Sequence, residues 1–183
     1  MPAIFRISRD PKCDILEPAD LAEYERAKSD GSWAFTGRKY KGDWSPIALK
    51  RSGVGQAPDV WFFRNTLAME DRAARCLGLF VEQSGDIRIA TFEGRRLTFM
   101  HVTYALNCLD TAKAEWDQSV SPPRIIGYAF HRSRVDWSLF KIPETHETEI
   151  LTVQGLAGLR DEFKSVYEAE GLTGLAFEEL DAW

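Results

Sequence analysis

Apolar positions along this chain recur at two periods. Within residues 66–80, Met69, Ala73, Cys76, Leu77 and Phe80 fall at i, i+4, i+7, i+8 and i+11, one face of a helix. Asn65 or Thr66 is placed to cap its start, and Gly78 to weaken or end it. Residues 156–170 predict the clearest helix. Leu156, Leu159, Phe163, Val166 and Tyr167 share one face, with Arg160, Asp161, Glu162, Lys164, Ser165 and Glu168 opposite. Gly171 follows as the C′ residue, where a positive φ costs glycine little. Residues 17–28 predict a third helix, with Pro18 in the first turn and Gly31 past the end. Its apolar stripe of Leu21, Tyr24 and Ala27 is thin, which places it on the surface.

The second period is two. Residues 87–92 and 96–102 alternate apolar with polar around Glu93-Gly94-Arg95, the pattern of a hairpin. Residues 3–7 predict an edge strand, and Trp61-Phe62-Phe63 a short strand or core plug. Further strands are expected over 125–131, 137–142 and 149–153, and a last one through Leu175, Phe177 and Leu180. The charged stretch His131–Asp136 between two of them is expected to be exposed. Strands outnumber helices and follow one another directly. The fold class is therefore α+β, a largely antiparallel or mixed sheet with two to three helices packed against it.

Residues 31–58 are less regular, mixing glycines with Trp33, Phe35, Tyr40 and Trp44. Aromatics this close to glycines are read as anchors that hold a long loop on the core. The 183 residues fit one domain, 1–183, with a less regular part at 1–60. A 44% hydrophobic and 28% charged composition excludes a largely disordered chain. No apolar run approaches the roughly 18 residues of a membrane span. The start, MPAIFRISRDPKCDILEP, lacks the apolar core of a signal peptide.

Charge and cysteines narrow the class further. A net charge of −5 argues against direct nucleic-acid binding, which needs cations to displace counterions. The acid is uneven: from Glu144 onward ten acidic residues face only Arg160 and Lys164. Such a surface is either plainly solvated or attracts a basic partner. Cys13, Cys76 and Cys108 are odd in number and lack CxxC spacing, which argues against disulfides and structural zinc. Cys76 and Cys108 read as small buried hydrophobes in a reducing cytoplasm. His101, His131 and His146 lack paired metal-ligand spacing, and no Walker loop, GxSxG or HExxH occurs. No cofactor, metal or catalytic residue is assigned.

Three landmarks carry a resemblance: "EQSGDIRIATFEGRRLTFMHVTYALNCLDTAKAEW", "RIIGYAFHRSRVDWSLFKIPE" and "FKSVYEAEGLTGLAFEELDAW". Over roughly residues 60–183 their order resembles the immunity protein eleven family of bacterial polymorphic toxin systems. The resemblance implies a cytoplasmic immunity protein that binds a cognate toxin stoichiometrically and blocks it. Many such toxins act on nucleic acid through basic clefts, which an acidic inhibitor covers. The candidate partner face is Asp136, Trp137, Glu144, Glu147 and Glu149, with Asp110, Glu115 and Asp117 as a second acidic patch. Two other classes stay open. A small enzyme reversing a toxin modification or hydrolysing a ligand requires a pocket lined by His101, Cys108 or Asp110. An adaptor for toxin delivery requires binding that leaves the toxin active.

Overall fold

A strand with apolar residues on both faces needs a layer on each side. Strand β1 (Ala3–Arg9) is one: Ile4, Phe5 and Ile7 are all buried. In the computed structural model, which describes residues 2–33, 35, 37, 39–156 and 161–180 and only the backbone of Val81, β1 lies inside a four-stranded sheet. It pairs antiparallel with β11 (Ile150–Gln154) on one side and β12 (Leu175–Leu180) on the other, and two-residue β10 (Leu139–Phe140) lies outside β11. The expectation of an edge strand at 3–7 is thus corrected. One face, through Ile7, Ile150 and Leu175, packs on helices α2 (Asp71–Ser84) and α3 (Phe163–Ala169). The other, through Ile4, Leu151, Val153 and Leu180, is covered by Leu109, Ile125 and Phe130.

A second sheet has six strands in the order β2 (Ile15–Pro18), β3 (Ala48–Ser52), β6 (Gly85–Phe92), β7 (Arg95–Val102), β5 (Thr66–Met69), β4 (Val60–Phe63). Its pairings are antiparallel except β3 with β6. Leu67, Met69, Met100 and Val102 share the core of α2 and α3, so the two sheets meet in one apolar layer. On the far face, Trp61, Phe63, Leu97 and Phe99 meet Trp33, Phe35 and Tyr24, the last from helix α1 (Leu21–Ser29). The aromatic loop is anchored as expected. Trp33 stacks on Trp44 at 4.4 Å and donates from Nε1 to the Ser45 carbonyl at 3.0 Å. A separate ribbon pairs β8 (Glu115–Asp117) with β9 (Arg124–Gly127). The architecture is α+β with mixed sheets. None of the described helices is long and apolar enough to cross a membrane.

Several element boundaries differ from the sequence reading, each for a local reason. Thr66–Met69 is strand, not helix; all four residues are buried between β4 and β7, and a short continuous apolar run has no period to separate the two. The helix begins only at Asp71 and continues through Gly78. Pro18 closes β2, and Asp20 caps α1, its side chain accepting from Ala22 and Glu23 N–H. The third helix starts at Phe163, whose N–H donates to Ser138 Oγ at 2.6 Å. Before it, extended Glu162 accepts from the N–H groups of Gly155 and Leu156. Leu156 is not helical, and Leu159 and Arg160 lie outside the described residues. Gly171 is at φ +60°, as a C′ glycine should be. The strands expected over 125–131 and 137–142 shorten to β9 and β10, with Phe130 in a single bridge to Leu109. The hairpin β6–β7 forms where it was read, but its first strand begins at Gly85 and Arg95 pairs with Phe92, so Glu93 and Gly94, at φ 49° and 76°, make a two-residue turn. The stretch His131–Asp136 is exposed except for half-buried His131 and buried Val135.

One buried cation sits in this frame. Lys141 has no solvent exposure, and its Nζ donates to the Asn65 carbonyl at 3.1 Å. Burial pulls its ammonium from 10.5 down to about 8, with Glu147 opposing. Between those values the unfolded chain holds a proton that the folded chain has released, so stability rises with pH; below 8 the full penalty applies. Lys141→Met is therefore expected to stabilise the protein by about 1–3 kcal/mol at pH 7. It should also flatten the rise in stability above pH 8. Urea denaturation across that range checks both, and a variant weaker than wild type at pH 7 contradicts the assignment.

Candidate functional site

Where the outer cover of the four-stranded sheet stops, its side chains change character. Ile4 and Leu180 are buried beneath the cover, whereas the next pair along, Arg6 and Glu178, is charged. Arg6 Nη2 lies 2.6 Å and Nε 3.1 Å from Glu178 Oε2, and Nη1 is 3.0 Å from Glu149 Oε1. Tyr128 donates its hydroxyl to the other oxygen of Glu149. Burial alone would lower the Arg6 guanidinium, but hydrogen bonds to Glu178 and Glu149 outweigh it and hold the group above its ordinary value. Burial, then the Glu149 carboxylate, pushes the Tyr128 phenol up. This network forms one wall of an open cleft of about 650 Å³ between β12 and the β8–β9 ribbon.

The cleft is charged, but its charges are not balanced internally. Its bases are Arg6, Lys113 and Arg124, and its acids are Glu115, Glu149, Glu178 and Glu179. Each base already faces a carboxylate: Arg6 as above, Lys113 at 3.4 Å from Asp110, and Arg124 at 3.7 Å from Asp117. Glu115 and Glu179 have no cationic partner among the described residues. Exposed Ile126 adds an apolar side chain to the same rim, 58% accessible. A hollow of about 660 Å³ adjoins through Lys113 and holds Asp110, His131 and Arg132.

The eight residues singled out from the sequence are distributed as follows. Glu115 and Glu149 line the cleft, and Asp110 lines the adjoining hollow. Asp110 is nearly buried; burial raises its carboxyl, but nearby His131 and Lys113 outweigh that and hold it low. Asp117 accepts from Ser119, which with Arg124 holds it below the usual range. Exposed Asp136 and half-buried Glu144 both bear on the Cys108 thiol, and one Glu144 oxygen is buried with no hydrogen-bond partner among the described residues. Trp137 is tied inward, its Nε1 donating to Ser84 Oγ at 2.9 Å beside the Tyr104 ring. Half-buried Glu147 approaches Gly37 and the buried Lys141.

Arg6, Arg124, Tyr128, Glu178 and Glu179 were not singled out from the sequence. The available signal was Arg6 set between apolar Phe5 and Ile7 in β1, and two glutamates inside the last strand.

The remaining chemistry is structural. Cys108 is fully buried and its thiol is pushed up to about 12, first by desolvation and then by Glu144, so it stays protonated at neutral pH. His101 is buried against Phe35. Neither lines the hollow that holds Asp110. Cys76, expected to be buried, is half-exposed on α2 with its sulfur 3.6 Å from Glu170. Among the described residues no group of three His, Cys, Asp or Glu side chains is placed to hold a metal ion.

Arg6→Met removes three charge-assisted hydrogen bonds and leaves Glu149 and Glu178 without their cation. About a third of the Arg6 side chain meets water, which screens the loss. The variant is expected to lose about 1–2 kcal/mol at pH 7 and to converge on wild type in acid, where the carboxylates lose their charge. Urea denaturation at both pH values measures this, and an equal loss at both would contradict it. Compared with known proteins, the chain matches no family model and no curated sequence.

Proposed function

We propose that this chain is an immunity protein that binds a cognate toxin stoichiometrically in the cytoplasm and blocks it. The observation that carries the reading is the cleft between β12 and the ribbon, in which every base is engaged and Glu115 and Glu179 are left over. Such a surface favours a basic partner. The resemblance of residues 60–183 to the immunity protein eleven family supplies the partner class, a toxin domain with a basic active-site cleft. Ile126 beside the carboxylates gives an apolar anchor within a polar rim, the composition of a protein interface. The cleft is one part of that interface, since a stable complex covers about 800 Å² on each partner.

The test is co-expression with the product of the neighbouring gene. That product alone should arrest growth. Together with this chain it should be recovered as a one-to-one, inactive complex, and growth should return. Raising salt from 0.1 to 1 M shortens the screening length from about 10 to about 3 Å. Association should then slow by at least tenfold. A harmless neighbour or no complex overturns the reading. A complex in which the toxin stays active replaces it with a delivery adaptor.

A further inference from the structure

Sheet edges carry rows of backbone donors and acceptors, and folded proteins cover or blunt them. Three of the four outer edges of the two larger sheets are managed. The outer side of β10 is occupied by the chain before it: Lys141 N–H donates to the Tyr104 carbonyl, and Leu106 N–H to the Lys141 carbonyl, both at 2.9 Å. Val60 N–H at the start of β4 donates to the Thr173 carbonyl at 3.0 Å. β2 is four residues long and ends in Pro18. β12 is six residues long, and among the described residues one of its sides has no partner strand.

Its hydrogen-bond parity follows from one contact. Leu175 N–H donates to the Tyr167 hydroxyl at 2.9 Å and therefore points away from β1. In an antiparallel ladder that direction alternates, so Phe177 and Glu179 also turn their N–H and C=O groups outward. Among the described residues neither outward N–H has a partner.

This open edge is a wall of the cleft. Glu178, Glu179 and Leu180 line it in succession, as do Arg124 through Tyr128 on the facing ribbon. Neighbouring strand residues point to opposite faces, so a cleft that meets Glu178, Glu179 and Leu180 in succession reaches the edge of β12, while Arg6 and Glu149 line it from the outer face of the sheet. Among the described residues β9 pairs only with β8, which leaves its other edge without a partner strand. At about 3.4 Å rise, 4.8 Å strand spacing and 10 Å depth, one strand residue occupies about 160 Å³, so a cleft of about 650 Å³ holds roughly four.

We infer that the cleft takes an extended, basic segment of the partner protein as a strand inserted between β12 and β9. The inference rests on the reading of the chain as a binding protein and specifies how its cleft is filled. Backbone hydrogen bonds to Phe177 and Glu179 supply the affinity. Glu115 and Glu179 select lysine or arginine at alternate positions of the segment. The three bases of the cleft are outnumbered, because a carboxylate lies within 4 Å of each and Glu115 and Glu179 are in excess.

The probe is a blocked six-residue peptide of alternating lysine and valine, added to the full chain. Three measurements test the inference. Amide hydrogen exchange should slow at Phe177, Glu179 and along β9. A peptide of the same charge, N-methylated at alternate backbone positions, should bind at least tenfold more weakly. Glu179→Pro removes an outward donor together with the carboxylate, and Glu179→Gln the carboxylate alone; both leave the ladder to β1 untouched, and the proline variant should stay folded while binding at least tenfold more weakly than the glutamine variant. Equal binding of the methylated peptide, protection confined to other strands, or no binding overturns the inference. These outcomes are separate from the co-expression test: a toxin complex in which the β12 and β9 amides exchange as in the free chain sinks the inserted strand and leaves immunity standing. Absence of any toxin complex sinks the immunity reading instead.

Discussion

The four-stranded sheet has to be covered on both faces, and most of the structure follows from that requirement. β1 pairs with a strand on each edge and carries buried residues on each face, so the chain must supply two covers. The inner cover is the apolar layer of α2 and α3, shared with the six-stranded sheet. The outer cover is irregular, built around Leu109, Ile125 and Phe130. It is also incomplete. Where it ends, apolar residues give way to Arg6, Glu149 and Glu178, which satisfy one another by hydrogen bonds at the edge of the core. The cleft is the gap between the end of that cover and the open side of β12.

The same arrangement separates stability from recognition. The aromatic cluster around Trp33, the shared apolar layer and buried Lys141 lie under the sheets. The side chains of the cleft rim, Glu115, Ile126 and Glu179, are exposed. Substitutions there can change which partner is bound at little cost to the fold, because surface side chains outside buried networks contribute little to stability.

Local patterns gave much of the fold, and their failures share a cause. The β6–β7 hairpin was legible because two alternating runs flank Glu93-Gly94, and the final strand because Leu175, Phe177 and Leu180 punctuate it. The reading of 66–80 as one helix failed because Met69 satisfies both a helical face and a fully buried strand. Only the pairing of β5 between β4 and β7, a long-range fact, separates them. The start of α3 depends on Ser138, 25 residues away, which no local pattern contains. The cleft was legible in part. Glu149 stood out in the acid-rich stretch after Glu144 and Glu115 in the patch with Asp110 and Asp117, but Arg6 meets Glu178 across 172 residues of sequence. That contact exists because the first and last strands are neighbours, and periodicity cannot reveal which strands will pair.

The most direct test of the cleft as the partner's site is a comparison of charge reversals at equal net charge. Association with the toxin would be timed for wild type, for Glu115→Lys with Glu179→Lys in the cleft, and for Glu25→Lys with Glu82→Lys on the exposed faces of α1 and α2. If the cleft receives a basic partner, the first pair slows association by tenfold or more and the second by less than about twofold. Equal slowing by both pairs would mean that overall charge, and not the cleft, guides the encounter, and would contradict the account.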